Sequence, residues 1–383
     1  MNFKRGYDLP ESARRPGPYP VISSAGISGY HDQYKVCGEG IVTGRYGTLG
    51  VMHYCSGDYW PHNTALYVTS FKGNAPKYVY YMLSCLGHLN TGDKSAVPGV
   101  NRNDLHELVI PMIADREAQQ KIAAVLSALD AKIDLNNRIN AELEALAKTI
   151  YDYWFVQFDF PDANVRPYKS SGGAMVWNDA LKREIPADWT AGSLDDLGQI
   201  VGGSRPSTLN PDNFANDMIP WITPKDLSNN KDRKFISRGE TDVSEIGRRS
   251  ASLTLYPAGT VLMSSRAPVG YLAIALNPVT TNQGFKSFVP SKGYSTSFVY
   301  YSVERSLPTI IQYASGSTFV EISGGILKSV RAVLPAKSVT DAYAKLIEPI
   351  VNRQRQAELE NLELTRLRDW LFPLLMTGQV RVT

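Results

Sequence analysis

Two arginines could make paired hydrogen bonds to the edge of a nucleic-acid base. Arg45 and Arg266 each precede a glycine-bearing turn, at similar places in the two halves of the chain. A guanidinium group fits the acceptors of guanine, and asparagine or glutamine fits adenine. Alternatively, both arginines are structural and bind the carbonyls of their turns. The candidates for base contact are Arg45, Tyr46, Thr48, Asn101, Arg102 and Asn103 in the first half and Ser264, Ser265, Arg266, Ser317 and Thr318 in the second.

Pairs of adjacent basic residues could bind phosphate groups. Such contacts would position the protein on a duplex without reading its sequence. The alternative is that these pairs are simply solvated at the surface. The candidates are Lys4 with Arg5, Arg14 with Arg15, Arg233 with Lys234, and Arg248 with Arg249.

The sequence carries no convincing motif for catalysis. It has no GxxxxGK[ST] loop for ATP and no GxGxxG that follows a strand. Asn277-Pro278-Val279 does not match the Asn-Pro-Pro-aromatic motif of amino-methyltransferases. The five histidines lack ligand spacing, and no carboxylate cluster with a lysine suggests a metal nuclease. We therefore expect the chain alone to catalyse nothing and to hold no metal.

The composition predicts a cytoplasmic protein of two or three domains. The 383 residues are 43% hydrophobic and 20% charged, which is typical of globular proteins. The net charge of +3 permits a polyanionic partner without requiring one. Three cysteines without CxxC spacing favour reduced thiols. The first residues do not resemble a signal peptide, and no apolar run is long enough to span a membrane.

Two long helices must position these candidate residues. From Asp115 to about Phe155 there is no proline or glycine, and apolar residues recur at steps of three and four. The resulting seam needs a partner helix, and a buried asparagine at Asn136-Asn137 could fix the pairing register. The predicted seam consists of Ile122, Leu126, Leu129, Ile133, Ile139, Leu143, Leu146, Ile150 and Tyr153.

The second helical stretch is the natural partner of the first. Its seam contains Leu364, Leu367, Leu371 and Leu374, and Pro349 should kink it or divide it in two. The two helices can satisfy each other's seams if they pair antiparallel. The predicted boundaries are a β-rich first module at 1–112, a first helix at 113–157, an irregular connector at 158–187, a β-rich second module at 188–336, and a second helix with a C-terminal tail at 337–383.

The chain repeats its own plan once. Ala141-Glu-Leu-Glu144 recurs as Ala357-Glu-Leu-Glu360, and Val79-Tyr80-Tyr81 recurs as Val299-Tyr300-Tyr301. Their separations, 216 and 220 residues, differ little, which indicates one duplicated module with small insertions. The repeated tyrosine pairs are predicted to pack in the core. Trp154 and Trp370 are expected to pack the helices against the modules or, alternatively, to contact a partner subunit.

The order of several short motifs resembles the specificity subunits of Type I restriction–modification systems. Each motif is loose alone, but together they cover nearly the whole chain. They are Gly17-Pro-Tyr-Pro-Val-Ile-Ser-Ser24 with Gly29-Tyr30, Gly44-Arg-Tyr-Gly-Thr-Leu-Gly50, Trp60-Pro-His-Asn-Thr64, Val97-Pro-Gly-Val-Asn-Arg-Asn103, Arg166-Pro-Tyr-Lys-Ser-Ser-Gly-Gly173, Gly316-Ser-Thr-Phe319 and the two helices.

The resemblance implies a mixed α/β (α+β) fold with two target-recognition domains, separated by an antiparallel coiled-coil spacer and related by a pseudo-two-fold repeat. It implies that each domain reads one half of a bipartite, asymmetric double-stranded DNA site. Two methyltransferase subunits and a restriction (motor) subunit would be the partners. S-adenosylmethionine, ATP and magnesium would belong to those partners, so this chain would hold no cofactor. The alternative is a coiled-coil adaptor that does not bind DNA and whose globular ends bind proteins.

The first half departs from the second at its start. The second half has Glu184-Ile-Pro-Ala-Asp-Trp189 and Leu194-Asp-Asp-Leu-Gly198 before its glycine-rich turn, whereas the first begins close to that turn. We expect either a truncated N-terminal edge or an equivalent that the far end of the fold supplies.

Overall fold

The chain divides into two compact units that both contain β-sheet and long helix. The computed structural model describes residues 1–45, 51–85, 106, 109–110, 112–266, 268–314 and 321–382. Unit 1 comprises Met1–Asp134 with Asn361–Thr383, and unit 2 comprises Leu135–Glu360. Each boundary between the units falls inside a long helix.

The first module forms two sheets in unit 1. Strands β1, β7, β4 and β5 form an antiparallel sheet in that order, and β3, β2 and β6 form a second sheet in which β2 and β6 run parallel. The elements are β1 Asn2–Arg5, the 3-10 turn Glu11–Ala13, β2 Tyr19–Ser23, β3 Gly26–His31, β4 Gly40–Gly44, β5 Met52–Cys55, β6 Trp60–Pro61, β7 Ala65–Ser70 and α1 Pro76–Cys85. β4 and β7 are rich in apolar and β-branched residues, which favour strands, and they agree with the prediction that this module is β-rich.

The described part of unit 2, which contains the second module, has more strands and helices than that of unit 1. The strands of unit 2 are β8 Met175–Asn178 and β9 Arg183–Pro186 in the connector, followed in the module by β10 Thr190–Ser193, β11 Gln199–Gly202, β12 Phe214–Ile222, β13 Phe235–Ile236, β14 Thr241–Val243, β15 Val261–Ser265, β16 Val269–Ala275, β17 Thr280–Thr281, β18 Lys286–Val289 and β19 Arg331–Leu334. Its helices are α3 Pro224–Asn229, α4 Glu245–Ser250, α5 Thr296–Tyr313 and α6 Gly324–Ser329, with 3-10 turns at Leu194–Leu197 and Pro211–Asn213. The sheets are β11-β18-β15-β16-β13, β14-β12-β17, β10-β19 and the hairpin β8-β9.

The register of the strands confirms the internal repeat. Gly44 lies opposite Ala65 in the first module, and Ser264 lies opposite Phe285 in the second, so both partners are displaced by 220 residues. The order β11-β18-β15-β16 repeats β1-β7-β4-β5, and the parallel pair of β12 with β17 repeats that of β2 with β6. The two modules therefore share one backbone plan.

Both predicted long helices are present. The first is α2, Arg116–Tyr151, which continues into a π-helical turn at Asp152–Val156. The second is α7, Lys337–Met376, and Pro349 does not divide it. Pro349 is exposed, so the carbonyl that loses its helical partner can bind water. Buried Ile347 and Val351 on either side anchor the helix in the core of unit 2.

Within each unit, the segments of α2 and α7 run antiparallel. In unit 1, the Arg368 Nη1 atom donates to Asp130 Oδ1 at 3.0 Å, and Asn361 Nδ2 donates to the Ile133 carbonyl at 3.5 Å. Residue numbers thus rise along α2 as they fall along α7. The same order holds in unit 2, where Asn136 binds Glu360 and Gln354 Nε2 donates to the Asn140 carbonyl at 3.4 Å.

The buried asparagine predicted in the helical seam is Asn136. Its side chain is fully buried, and its Nδ2 atom donates to Glu360 Oε2 at 2.7 Å. An apolar residue opposite Asn136 could not accept this bond, which favours one register of pairing. Asn137 beside it is exposed.

The apolar seam predicted for the first long helix is buried before Asn136. The prediction is wrong at several positions after Asn136 and at Leu367 in the seam of α7. Ile122 and Leu126 are buried, but Leu146, Tyr153 and Leu367 are 47%, 38% and 43% exposed. After Asn136, the buried positions are Ala147, Tyr151 and Trp154. Polar side chains between the helices displace the apolar seam by one position, which the three-and-four spacing alone does not reveal.

An aromatic core holds unit 2 together and includes part of the predicted connector. Phe158 and Phe160 are buried and pack on Trp189, with ring centroids 5.5 and 5.0 Å away. Each fully buried aromatic side chain contributes about 1.5–3 kcal/mol. The connector also contains the hairpin β8–β9, so the prediction that it is irregular throughout is wrong.

Candidate nucleic-acid interface

Three chain segments meet at one point of the first module, where β1, β4 and β6 end. The Tyr7 N–H donates to the Pro61 carbonyl at 2.8 Å, and the Arg45 N–H donates to the Thr64 carbonyl at 3.0 Å. The segments are Gly6–Asp8, Arg45 and His62–Thr64, which we call the first strand junction. Backbone bonds fix their positions, so their side chains are presented on a rigid scaffold.

The second module contains the same arrangement. The Ser204 N–H donates to the Thr281 carbonyl at 3.0 Å, and the Ser265 N–H donates to the Gly284 carbonyl at 2.8 Å. We call Gly203–Arg205, Ser265–Arg266 and Asn282–Gly284 the second strand junction.

In each junction, a tryptophan side chain binds the backbone. The indole N–H of Trp60 donates to the Tyr7 carbonyl at 3.3 Å, and that of Trp221 donates to the Ser204 carbonyl at 3.0 Å.

A glycine permits the close approach in both junctions. A Cβ atom on Gly6 would lie 2.2 Å from the His62 carbonyl oxygen, and one on Gly203 would lie 2.1 Å from that of Asn282. Neither backbone can retreat without breaking the junction. These two glycines therefore occupy positions that no other residue can fill.

The side chains of the first strand junction offer donors and acceptors of several kinds. Arg5 is exposed, and its Nε atom donates to the Asn63 carbonyl at 3.3 Å. The Asn63 amide donates to Asp8, and His62 Nδ1 lies 3.1 Å from Thr64 Oγ1. Burial, followed by the charge of Arg14, lowers the pKa of His62, which favours a neutral ring. Amide, imidazole and guanidinium groups therefore converge here.

The side chains of the second strand junction differ from those of the first. Arg205 and Gln283 are exposed, and Asn282 Oδ1 accepts a bond from the Gly284 N–H at 2.8 Å. The Arg266 side chain is 35% exposed, and its Nη1 atom lies 3.9 Å from Glu321 Oε2. Two arginines and two amides thus stand on the same backbone frame that carries histidine, asparagine and arginine in the first module.

The predicted base-contact residues fall into three groups. Arg45 and Arg266 both lie at the junctions. By the strand register, however, the residue of the second module that is equivalent to Arg45 is Ser265, one residue before Arg266. Ser264 and Ser265 are fully buried, and Ser264 Oγ binds the Pro268 carbonyl at 2.7 Å. The positions that lie outside the described residues are Tyr46, Thr48, Asn101, Arg102, Asn103, Ser317 and Thr318.

The predicted phosphate contacts in the first module lie on its surface. Lys4 and Arg5 are exposed on β1. Arg14 is half-buried and donates to the Ser28 carbonyl at 2.6 Å. Arg15 is 61% exposed and lies 2.9 Å from Asp32. The first pair is the more accessible of the two.

The predicted phosphate contacts of the second module differ widely in exposure. Arg249 is 77% exposed, whereas Arg248 makes two hydrogen bonds of 2.7 Å to Glu245. These bonds raise the pKa of Arg248 and lower that of Glu245. Arg233 is half-buried beside α3.

Lys234 is buried, and its position does not favour a phosphate contact. Its Nζ atom donates to Gln354 Oε1 at 2.9 Å and also binds Glu144 and the hydroxyl of Tyr301. Glu358 accepts the backbone N–H groups of Lys234 and Phe235 at 2.8 and 3.0 Å. We call Glu144, Lys234, Tyr301, Gln354 and Glu358 the Lys234 network.

Opposing electrostatic effects act in the Lys234 network. Burial opposes ionisation of Glu144, but the charge and hydrogen bond of Lys234 hold the pKa of Glu144 below its ordinary value. Burial lowers the pKa of Lys234, and Glu144 acts against that shift. The network therefore fastens the second module to both helices of unit 2 and leaves the ammonium group inaccessible to DNA.

The two tryptophans predicted for a partner interface have different surroundings. Trp154 is buried in the core of unit 2, and its ring lies 5.8 Å from that of Tyr343 on α7, so it packs the end of the first long helix against the second. Trp370 is 63% exposed on α7, near exposed Leu367. Only Trp370 is accessible for a partner. Of the repeated tyrosine pairs, Tyr81, Tyr300 and Tyr301 are buried, as core packing requires.

Sequence reasoning missed the amides of both junctions and the role of Lys234. By the strand register, Asn63 corresponds to Gln283 and His62 to Asn282, and the sequence motifs alone do not give this correspondence. No signal marked Lys234, because its partners lie far away along the chain.

In residues 1–45, 51–85, 106, 109–110, 112–266, 268–314 and 321–382, no three His, Cys, Asp or Glu side chains are grouped so that they could hold a metal ion. In that part of the chain, no helix is long and apolar enough to cross a membrane.

Comparisons with known proteins agree on one family. The model for the Type I restriction modification DNA specificity domain matches residues 3–145 and 186–363. The chain is 39% identical, over 49% of its length, to the specificity subunit of the Type I restriction enzyme MjaIX from Methanocaldococcus jannaschii, and this match spans only 44% of that relative. It is 27% identical, over 70% of its length, to the HindI specificity subunit from Haemophilus influenzae, of which it covers 68%. The crystal structure of a Type I S subunit from M. genitalium matches with a TM-score of 0.64 and 15% identity over 98% of this chain and 93% of that one.

Proposed function

The chain belongs to the family of Type I restriction–modification DNA specificity domains, which recognise DNA targets, and we propose that it reads a bipartite, asymmetric site through its two modules. In this proposal, the first strand junction reads one half-site and the second reads the other. The antiparallel helices set the length of the unread gap between them. The chain itself supplies recognition and no catalysis.

The observation that carries the proposal is the shared backbone of the two strand junctions with its different side chains. Base readout requires donors and acceptors that a rigid frame holds in place. The register keeps the frame constant between modules, whereas His62 and Asn63 are replaced by Asn282 and Gln283. Two readers of one design with different side chains fit two half-sites of different sequence.

The exposed cations near each junction would bind phosphates. Lys4 and Arg5 flank the first junction, and Arg205 belongs to the second. Such contacts would give affinity that falls as salt rises but would not distinguish bases. Arg249 is a further phosphate candidate, because little of its side chain is covered.

The proposed partners are two methyltransferase subunits and a restriction subunit, which this chain would scaffold. Exposed apolar side chains on a helix are typical of a surface that another protein covers. Trp370 and Leu367 form such a surface on α7. S-adenosylmethionine, ATP and magnesium would act in those partners.

The test is selection of duplexes from a random-sequence library by the full chain with its cognate methyltransferase. The proposal predicts enrichment of a motif in two parts with a fixed gap. Enrichment of one continuous motif would contradict the bipartite reading. No DNA binding in the presence of the methyltransferase would instead favour the adaptor function, in which the globular ends bind proteins.

A further inference from the structure

Arg266 in the second strand junction lies beside the carboxylate of Glu321. The two residues face each other in an isolated antiparallel β-bridge, and the Ile322 N–H donates to the Ser265 carbonyl at 3.0 Å. Side chains of directly opposed residues in such a bridge lie on the same side of the backbone. Main-chain bonds therefore hold Glu321 next to Arg266, whatever the attraction between their charges.

The two side chains are close but are not joined by a hydrogen bond. Arg266 Nη1 lies 3.9 Å from Glu321 Oε2, beyond the distance of about 2.7–3.2 Å that a hydrogen bond requires. In the described part of the chain, neither side chain makes an ion pair with another residue. The donors of Arg266 and the acceptors of Glu321 are therefore available to a ligand.

Both side chains are accessible to solvent. The exposed fraction is 35% for Arg266 and 41% for Glu321. A Cβ atom on Gly284 would lie 3.5 Å from Arg266 Nε, so the arginine side chain runs across a residue that has no side chain to cover it. A surface ion pair contributes about 0–1 kcal/mol, so this one can open toward a ligand at little cost.

The carboxylate beside Arg266 disfavours a phosphate contact and favours a base pair. Glu321 offsets the charge of the guanidinium group and would repel a phosphate. The major-groove edge of a G·C pair instead offers acceptors and a donor side by side, namely guanine O6 and N7 and the 4-amino group of cytosine. Guanine O6 and cytosine N4 lie about 2.9 Å apart, because a hydrogen bond joins them. A donor and an acceptor 3.9 Å apart can reach both.

An A·T pair would fit these two side chains less well. Glutamate could accept the amino group of adenine, but thymine offers arginine only O4, beside a methyl group. Guanine offers arginine two acceptors and thus a paired contact, which is the commonest specific contact of this side chain. The two side chains therefore favour a G·C pair with the guanine toward Arg266.

We propose that Arg266 and Glu321 together read one G·C base pair in the half-site of the second module. Arg266 would donate to O6 and N7 of the guanine, and Glu321 would accept the 4-amino group of the cytosine on the other strand. Thymine in place of that cytosine would turn an oxygen toward the carboxylate and be repelled. Glu321 is thus a specificity-determining residue. This inference rests on the proposed function, which assigns the second strand junction to one half-site.

The first step of the test locates the base pair. Duplexes are selected by the full chain in complex with its cognate methyltransferase, once with the wild-type chain and once with Arg266→Ala. We expect the variant to lose the preference for guanine at one position of one half-site. The probe is the selected duplex in which 2-pyrimidinone replaces the cytosine opposite that guanine. This base pairs with guanine but lacks the 4-amino group.

The second step measures the contact of Glu321 by fluorescence anisotropy. The wild-type chain should bind the 2-pyrimidinone duplex about tenfold more weakly than the cytosine duplex, which corresponds to about 1.4 kcal/mol. Glu321→Ala should bind the two duplexes equally and should keep the preference for guanine, because Arg266 is still present. Glu184→Ala removes an exposed carboxylate from β9 of the same unit and should retain the difference between the duplexes.

Several outcomes would overturn this inference and leave the proposed function intact. They are equal binding of both duplexes by the wild-type chain, which depends on the folding of no variant, an undiminished difference in Glu321→Ala, and an Arg266→Ala selection that keeps every guanine. Loss of the guanine preference in Glu321→Ala would also overturn it, because Glu321 would then only position Arg266. A wild-type selection without a two-part motif would overturn the proposed function itself, and this inference with it.

Discussion

The two units fasten their modules to the helices with the same kinds of groups but with different degrees of enclosure. In unit 1, the Tyr81 hydroxyl donates to Asp130 at 2.6 Å, and Arg368 binds the other oxygen of that carboxylate. In unit 2, the Tyr301 hydroxyl donates to Glu144 at 3.1 Å, and Lys234 supplies the cation. The side chain of Arg368 is 31% exposed, whereas that of Lys234 is 5% exposed.

This difference shows which parts of a duplicated module are constrained. The tyrosine pair and the strand junction are retained in both units, and in each unit a carboxylate of α2 accepts the hydroxyl of the second tyrosine. The connection between β2 and β3 differs from its counterpart between β12 and β14. Only the second, longer connection reaches the long helices. Surface connections tolerate such change because they carry few buried contacts.

The largest expected effect comes from Lys234→Met. The substitution keeps most of the apolar side chain but removes the buried cation that binds Glu144, which leaves it only the half-exposed ammonium group of Lys148, 3.7 Å from its Oε1 atom. Loss of one partner of a buried pair costs about 3–5 kcal/mol. We expect a fall of this size in the free energy of unfolding of unit 2, measured by urea denaturation with a probe in its core. A loss below about 1 kcal/mol would mean that the network is not a buried ion pair in solution.

A smaller effect is expected from Asn136→Ala. The substitution removes the buried amide that binds Glu360, and an unpaired buried group costs about 1–3 kcal/mol. Gln120→Ala, which removes an amide at an exposed position of the same helix, is the control and should change stability little. Equal losses in both variants would mean that the buried amide is not the cause, since the higher helix propensity of alanine would by itself raise stability.

Arg368→Met should have a smaller effect than Lys234→Met, although both remove a cation from an equivalent place. Half-exposed ion pairs contribute about 0–1 kcal/mol. Urea denaturation followed by a probe in unit 1 measures the difference. If Arg368→Met cost as much as Lys234→Met, the contrast between an open and an enclosed attachment would be wrong.

The smallest expected effect concerns His62 and pH. Burial and Arg14 lower the pKa of His62 in the folded state, so the unfolded chain takes up a proton first as the pH falls. This residue therefore stabilises the fold above the ordinary pKa of 6.5 relative to lower pH, and the stability declines as the pH drops below that value. His62→Gln should flatten the pH dependence of unfolding between pH 7 and 5. An unchanged profile would contradict the shift.

Sequence periodicity predicted the elements that depend on residues close together in the chain. A segment without proline or glycine gives α2, and its break in spacing predicts a buried asparagine at Asn136-Asn137, which in the structure is Asn136. The repeat gives the shared topology of the modules. Tyr153 and Leu146 were wrongly predicted as buried, because polar groups from distant segments decide which face of α2 is covered after Asn136.

Contacts over long sequence separations could not be predicted in the same way. Lys234 stands beside Arg233 and looks like a surface pair, but its partners are Glu144 and Gln354, 90 and 120 residues away. The strand junctions likewise depend on which strand ends meet. Arg45 and Arg266 were found at these junctions because both precede turns, whereas Asn63 and Asn282 required the strand register.

The measurement that tests the central claim most directly is sequence selection with Arg45→Ala and Arg266→Ala, each in complex with the methyltransferase. Each arginine belongs to one strand junction, so each variant should relax the preference in one half-site and leave the other half-site and the gap unchanged. The wild-type chain in the same selection is the control. Equal loss across all sequences in both variants would assign these arginines to phosphate contact or folding and would contradict separate reading by the two modules.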